Sequence, residues 1–523
     1  MSSPDVLAAI VEHTRTGPDR PAVKDLDRDL TYGALLDEVT RVAASLRSHG
    51  VREGDRVALL LPNSVDFVVA ALACLTLGAI FVPLAVSDPP SRLGVIIGNC
   101  APTVVVTSSD GEGAQPALAT TSERPLVVTI SELSREVGGR VESGPPGTTG
   151  TTGTTGAYII YTSGTTGTPN GVLIGRAAFA AAVGATADAL GIDRTTRTLC
   201  VSPFHFDGSF ATLFPTLSCG GAVVIRPREA LLFPRTFFRA VASEGITYTG
   251  FSPSYLRLLL ASELMETLAE SHLHVVALGG EASSPADIRA LWAAAPDLEV
   301  FNRYGPTETT IAVTHMKVTP ADLAAGSVPI GQPHPGVTFH LVDGEDRMVE
   351  TPDQVGELYV GGTQLMTGYW GAPELTADVL RTDLIPGMTL YRTGDLVHRN
   401  ASGDYVYLDR ADRVINRNGV RISLVEISDT LRGQEGVSAA ACLAFDDDGQ
   451  LGIVAFAVAD RSVTALELRR ATSHHLPDTM LPNHFELVET LPLTAGSKLD
   501  ERRLLAEAGL REFRPASAPR PKA

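Results

Sequence analysis

Three stretches of this chain combine residue types that can handle anions and cations at close range. Tyr158 to Val172 reads YIIYTSGTTGTPNGV, a short apolar run entering a loop of Thr162, Ser163, Gly164, Thr165, Thr166 and Gly167. Hydroxyls and bare amides crowded in this way make a nest for phosphate oxygens, and Gly164, Gly167 and Gly171 allow the backbone to approach closely. A Walker loop is excluded, because no lysine followed by Ser or Thr completes G-x-x-x-x-G-K-[ST]. In NRYGPTETT from Asn302, the carboxylate of Glu308 stands among hydroxyls, a set that suits Mg2+ held by one carboxylate and substrate phosphates. In FDGSF from Phe206, Asp207 lies between Phe204, Phe206 and Phe210, where a carboxylate needs a cationic partner.

These residues must be held by a larger frame. Tyr158-Ile159-Ile160-Tyr161 reads as a buried strand delivering the hydroxyl loop, while the GTTGTTGTTG run at Gly147 to Gly156 reads as a solvated tether. Short β-rich runs at Val57 to Leu61, Thr103 to Thr107, Leu126 to Ile130 and Ala222 to Ile225 alternate with helical patterns such as Arg176 to Leu190 and Phe237 to Glu244. That alternation predicts layered, parallel α/β structure. From Gly356 to Leu408 the pattern becomes strand and turn, and after Asp412 a compact α/β pattern follows. The domain boundary is therefore set near Asp412, giving a large domain over 1–411 and a small one over 412–523.

Phe67 to Val86, FVVAALACLTLGAIFVPLAV, is about as long as a membrane span. Asn63, Ser64 and Asp66 offer N-cap chemistry, Gly78 can end a helix, and IFVPL is β-rich, so the stretch is read as a buried helix followed by a short strand. With 42 basic and 60 acidic residues the net charge is −18, which disfavours nucleic-acid and anionic-membrane partners. Five scattered cysteines without metal-ligand spacing, and an N-terminus without a secretory signal, predict a reducing cytoplasm.

In their order along the chain, LTYGAL, LGAIFVPL, the hydroxyl loop, FDGS, NRYGPTETT, GELYVGG, YRTGDL, DRADRVINRNGVRI and GSKLDERRL resemble the adenylate-forming superfamily. That family includes acyl-CoA synthetases, luciferases and nonribosomal peptide synthetase adenylation domains. The resemblance implies a large domain of layered α/β subdomains plus a distorted β-barrel, and a small mobile α+β domain. It implies ATP and Mg2+, with Glu308 as metal ligand, Thr307 and the loop on phosphate, Tyr304 on the adenine face and Asn302 at its edge. Asp395 would take the ribose hydroxyls and Arg410 the ribose or phosphate. Lys498 would bridge the substrate carboxylate and the α-phosphate, Asp412 would be the hinge, and Gly419 would line a pantetheine tunnel.

Joining a carboxylate to the α-phosphate brings two anions together, so the site must neutralise charge at phosphorus. Two departures from the family weaken that capacity, since Asn170 and Asn416 stand where lysines are common. Asp207 matches the aspartate that amino-acid-activating members use for the substrate amine, and FDGSF resembles members that load β-amino acids for macrolactam starter units. Carried across, the acyl pocket is Gly208, Ala211, Gly250, Val276, Leu278, Gly279, Arg303, Ile311 and Ala312, which implies a neutral alkyl or aromatic side chain if Arg303 turns away to Glu308 or solvent, the alternative being that Arg303 pairs with a second substrate carboxylate. No carrier-protein signature follows Lys498, so the expected partner is a separate phosphopantetheine carrier protein. An acyl-CoA synthetase of non-amino acids and a non-catalytic adenylate binder are the competing readings.

Overall fold

The computed structural model describes residues 5–511 apart from 89, 109–124, 136–155, 164–168, 326, 411–413, 418–419, 448–449, 475, 477–479 and 494–498. The chain divides into two units, one running to Thr393 and including His398–Tyr407, the other made of Gly394–Val397 and the chain from Leu408 onward.

In the first unit, two largely parallel sheets carry the layers that the alternating pattern predicts. One has eight strands, ordered Thr314–Lys317, Glu299–Tyr304, Val275–Gly279, Tyr248–Phe251, Arg197–Cys200, Ala222–Ile225, Pro21–Lys24 and Asp29–Thr31, with only the two edge pairs antiparallel. The other has seven, ordered Gly368–Tyr369, Pro169–Gly175, Gly156–Ser163, Ile80–Pro83, Arg56–Leu60, Val104–Thr107 and Leu126–Thr129. In the β-rich region Val337–Val342 pairs antiparallel with Gly356–Gly362.

The membrane-length stretch resolves as its caps predict. Ser64 accepts from Phe67 N–H, Val65–Leu77 forms a helix, and Gly78 closes it at φ 69°, the left-handed conformation a glycine takes without strain. Ile80–Pro83 then enters the sheet, and both elements are buried in the protein core. Among the described residues, no helix is long and apolar enough to cross a membrane.

Aromatic packing fixes the segment that presents Asp207. Phe210 and Phe214 of the Phe210–Ser218 helix meet Phe81, Tyr158 and Phe179 edge-on or tilted at centroid distances of 4.9 to 6.4 Å. Such pairs add about 0.5–1.5 kcal/mol each beyond area burial. The Asp207–Ser209 turn is thereby anchored at its C-terminal side.

In the second unit, Val437–Asp447, Gln450–Ala459 and His484–Leu487 form a three-stranded sheet. Helices Leu424–Arg432 and Ala465–Ser473 contribute Ile427, Leu431 and Leu468 to the core under it. Thr464 and Glu467 cap the second helix reciprocally.

Candidate active site

Asp207 is 9% exposed, and its Oδ2 has no hydrogen-bond partner among the described residues. Burial is the main cause that raises its pKa to about 6, and Glu308 adds like charge, while the Ile311 N–H, the Thr307 hydroxyl and the Arg303 guanidinium oppose the shift. A carboxylate so placed is short of positive charge and has one oxygen to offer a cation. Gly208 leaves space beside it, for a Cβ there would meet only Arg303 Nη2, at 3.8 Å. Phe204 and Phe210 are buried as the sequence suggests, but Phe206 is 41% exposed, so the apolar wall is narrower than three phenylalanines.

Arg303 turns neither to solvent nor to Glu308. It is 8% exposed, lies over Gly279, where a Cβ would fall 2.6 Å from its Nε, and its Nη1 has no hydrogen-bond partner among the described residues. Tyr248 and Asp207 are the groups that favour its charge. Its burial leaves the guanidinium on the inner side of the sheet with Asp207 rather than in solvent.

The pleat corrects two of the expected pocket residues. Gly250 pairs with Ala277, and Gly279 with Arg303, so Ala277 and Gly279 share the sheet face of Gly250 and Arg303. Val276 and Leu278 point to the opposite face and pack with Phe237, Phe251 and Val300. Strand side chains alternate, so a slip of one residue moves every one of them across the sheet. Ala211, whose carbonyl accepts from Tyr248 Oη at 3.3 Å, stays with Gly250 and Asp207.

Glu308 sits in the short Thr307–Thr309 turn, half-buried, with Oε1 accepting from Tyr369 Oη at 2.8 Å. Tyr369 pairs with Val172, and Met366 N–H donates to the Glu308 carbonyl, so Glu308 is tied to the strand that leaves the hydroxyl loop. Thr162 and Asn170 face each other across the hairpin that brackets that loop. The loop residues Gly164, Thr165, Thr166 and Gly167 lie outside the described residues, as do Asp412, Gly419 and Lys498; of Ser163 and Asn416 only the backbone is described. Gly171 has another reason to be bare than phosphate approach, since a Cβ there would sit 2.9 Å from Tyr161 Cζ and Ile159 Cγ2.

Tyr304 packs edge-on to Phe339 and tilted against Tyr407. The Asn302 amide is engaged internally, donating to the Pro329 carbonyl at 2.7 Å and accepting from Ser283 Oγ at 2.9 Å. In the second unit, Asp395 is 5% exposed and Arg410 Nη1 lies 3.4 Å from its Oδ1.

Sequence reasoning missed the group that holds the turn beside Asp207. Thr310 and Ile311 have φ of 62° and 69°, a conformation that strains β-branched residues. Buried Gln364 holds the turn: its main-chain carbonyl accepts from Thr310 Oγ1 at 2.6 Å, and its side-chain Nε2 donates to the Ala312 carbonyl at 2.7 Å and the Thr310 carbonyl at 3.3 Å. Its Oε1 lies 3.0 Å from His334 Nδ1, and His334 Nε2 lies 2.8 Å from His315 Nδ1. Burial lowers the pKa of both histidines, His315 well below the ordinary range with His334 and Arg303 beside it, so both rings are neutral at pH 7. Tyr158, whose hydroxyl lacks a partner among the described residues, also feels the Asp207 charge.

The chain matches a family model described as AMP-binding enzyme over residues 10–370. It is 34% identical over 501 residues to the phenyloxazoline synthase MbtB of Mycobacterium sp. (strain MCS), covering 94% of this chain and 41% of that protein, so it spans less than half of that relative. It is 32% identical over 542 residues to the L-proline:(L-prolyl-carrier protein) ligase of Streptomyces coelicolor, covering 99% of each. Among solved structures, a four-domain nonribosomal peptide synthetase bound to AMP and glycine matches with a TM-score of 0.81 at 27% identity, over 99% of this chain and 38% of that one.

Proposed function

Because the chain belongs to the AMP-binding enzyme family, we propose that it activates an amino acid with ATP, releasing pyrophosphate, and passes the resulting aminoacyl group from AMP to the phosphopantetheine thiol of a carrier protein. The observation that carries the amino-acid assignment is the buried carboxylate of Asp207 with its unpartnered Oδ2. Neither a fatty acid nor an aryl acid gives that oxygen a partner, whereas a substrate ammonium does. The L-prolyl-carrier protein ligase supports the same reading by its likeness over the full length. A β-amino acid is favoured by the FDGSF sequence around Asp207.

Within this reading Lys498 bridges carboxylate and α-phosphate, Tyr304 and Asn302 flank the adenine, and Asp395 with Arg410 takes the ribose. Glu308 fits a Mg2+ site as a half-buried carboxylate with Oε2 left beside its bond to Tyr369, and Mg2+ held there with ATP phosphates would neutralise charge at the phosphorus. The ATP and acyl sites are assigned to residues 1–411 and the lysine to 412–523, pivoting at Asp412. A cytoplasmic location completes the proposal. A pyrophosphate-exchange or hydroxamate panel of α-amino, β-amino and fatty acids, with ATP and Mg2+, tests it. Turnover confined to fatty acids would move an acyl-CoA synthetase to first place.

Two further results are expected. Asn170→Lys should tighten ATP binding without changing which acids are accepted, because it adds a cation at the hydroxyl loop, far from the pocket face. An unchanged ATP affinity would remove position 170 from the phosphate site. In addition, kcat/KM for the amino acid should fall below about pH 6, because the free enzyme's Asp207 takes up a proton there and can no longer pair an ammonium. A profile without this acid limb in the parent would detach Asp207 from the amine.

A further inference from the structure

Arg303 and His315 stand directly opposite each other on neighbouring antiparallel strands, hence on one face of the eight-stranded sheet. Each carries a buried polar atom with no hydrogen-bond partner among the described residues, Nη1 on the arginine and Nε2 on the histidine. The protons on this pair can be assigned from Gln364. Its Nε2 faces backbone carbonyls, which only accept, so this atom is the amide nitrogen and Oε1 is the acceptor turned to His334. His334 Nδ1 therefore carries a proton and its Nε2 is bare. His315 Nδ1 then donates to that bare nitrogen, which leaves His315 Nε2 as an unprotonated acceptor. Near-parallel rings, 7° apart with centroids at 5.0 Å, keep this relay in one geometry.

The outcome matters for the guanidinium. An Nε2–H on His315 would set a second donor against the Arg303 donors, whereas a bare lone pair is compatible with a buried cation beside it. The same Gln364 side chain donates to the Thr310 and Ala312 carbonyls of the turn whose Ile311 N–H reaches Asp207, so it bears on both the anionic and the cationic group.

We propose that Gln364, His334 and His315 are positioning residues that keep a bare nitrogen on the sheet face of Arg303, so that the guanidinium stays a charged donor in the acyl pocket, and that the amino acid taken there ends its side chain in an oxygen acceptor, a carboxylate or a carboxamide. This rests on the amino-acid reading of Asp207. Once a substrate ammonium pairs with Asp207, that carboxylate no longer balances Arg303 alone, and a buried cation without an acceptor is costly. A Cβ at Gly208 would meet Arg303 Nη2 at 3.8 Å, so a substrate group seated against that glycine comes into contact with the guanidinium.

The test measures pyrophosphate exchange with matched amino acids whose side chains end in a carboxylate, a carboxamide or an isosteric alkyl group, together with the same acids lacking the amine. The parent should prefer an acceptor-bearing side chain over the alkyl one by a factor on the order of 10 to 10² in kcat/KM, as for a hydrogen bond to a charged group. Arg303→Leu should erase that preference. His334→Leu and Gln364→Leu should weaken it through the amino-acid KM with the ATP KM unchanged, and His315→Gln, which restores a carbonyl acceptor, should recover more of it than His315→Leu. The imidazole nitrogen spectrum of the parent should show His315 Nε2 unprotonated, a readout that needs no variant to fold. An alkyl side chain preferred by the parent, or a preference that survives Arg303→Leu, would overturn the acceptor assignment. A protonated His315 Nε2 would overturn the relay. The deaminated series separates the two readings: equal turnover of an acid with and without its amine would mean that Asp207 does not bind the ammonium, whereas a lost acceptor preference among the amino acids alone would overturn only the assignment of Arg303.

Discussion

Lys498→Ala is expected to slow adenylate formation by about 10²-fold or more while ATP affinity and folding stay close to those of the parent. Two anions, the substrate carboxylate and the α-phosphate, must approach within bonding distance, and the repulsion between them peaks as the new bond forms. An ammonium placed between them therefore interacts most strongly in the transition state, so its loss lowers kcat and kcat/KM together rather than raising KM alone. Pyrophosphate exchange under saturating ATP and amino acid is the measurement, with nucleotide binding measured separately. Exchange at the parent rate would exclude Lys498 from the chemistry. With lysines absent from positions 170 and 416, few other cations stand ready to replace it, which makes a large effect the expected one.

Asp207→Asn is expected to raise the amino-acid KM by a factor of roughly 10 to 10³, as for a lost buried charge pair worth ~2 to 4 kcal/mol, with the ATP KM nearly unchanged. The substitution keeps the shape and removes the charge. A deaminated analogue of the true substrate should lose much less, because it never used the carboxylate. The same variant should fold more stably at neutral pH. The sign follows from the raised pKa: the folded protein holds the Asp207 proton up to about pH 6 whereas the unfolded chain releases it near the ordinary aspartate value, so the cost of ionising the buried acid grows through that window and is fully present above it. A variant that discriminates the amino acid from its deaminated analogue as strongly as the parent does would show that Asp207 is not the amine partner.

Local chemistry made much of the frame legible in the sequence. Ser64 and Gly78 bracket their helix through caps that act within a few residues, and IFVPL continues as a strand because its side chains are β-rich and apolar. Tyr158 to Tyr161 reads as a buried strand for the same reason. The motif order from LTYGAL to GSKLDERRL was enough to indicate the family, and the acid at Asp207 was enough to raise the question of an amine. Tertiary structure alone decided which way the pocket faces. Val276 and Leu278 are as apolar as the pocket was expected to be, yet the strand period of 2 sends them to the face that packs with Phe237 and Phe251 and leaves Ala277 and Gly279 on the face of Arg303. Whether Arg303 turns inward was equally open, since a long flexible side chain takes its direction from the room that Gly279 leaves and from Asp207 and Tyr248, both distant in sequence. Gln364, His334 and His315 carry no local signature because their bonds span 19 to 54 residues, and only the folded chain makes them neighbours.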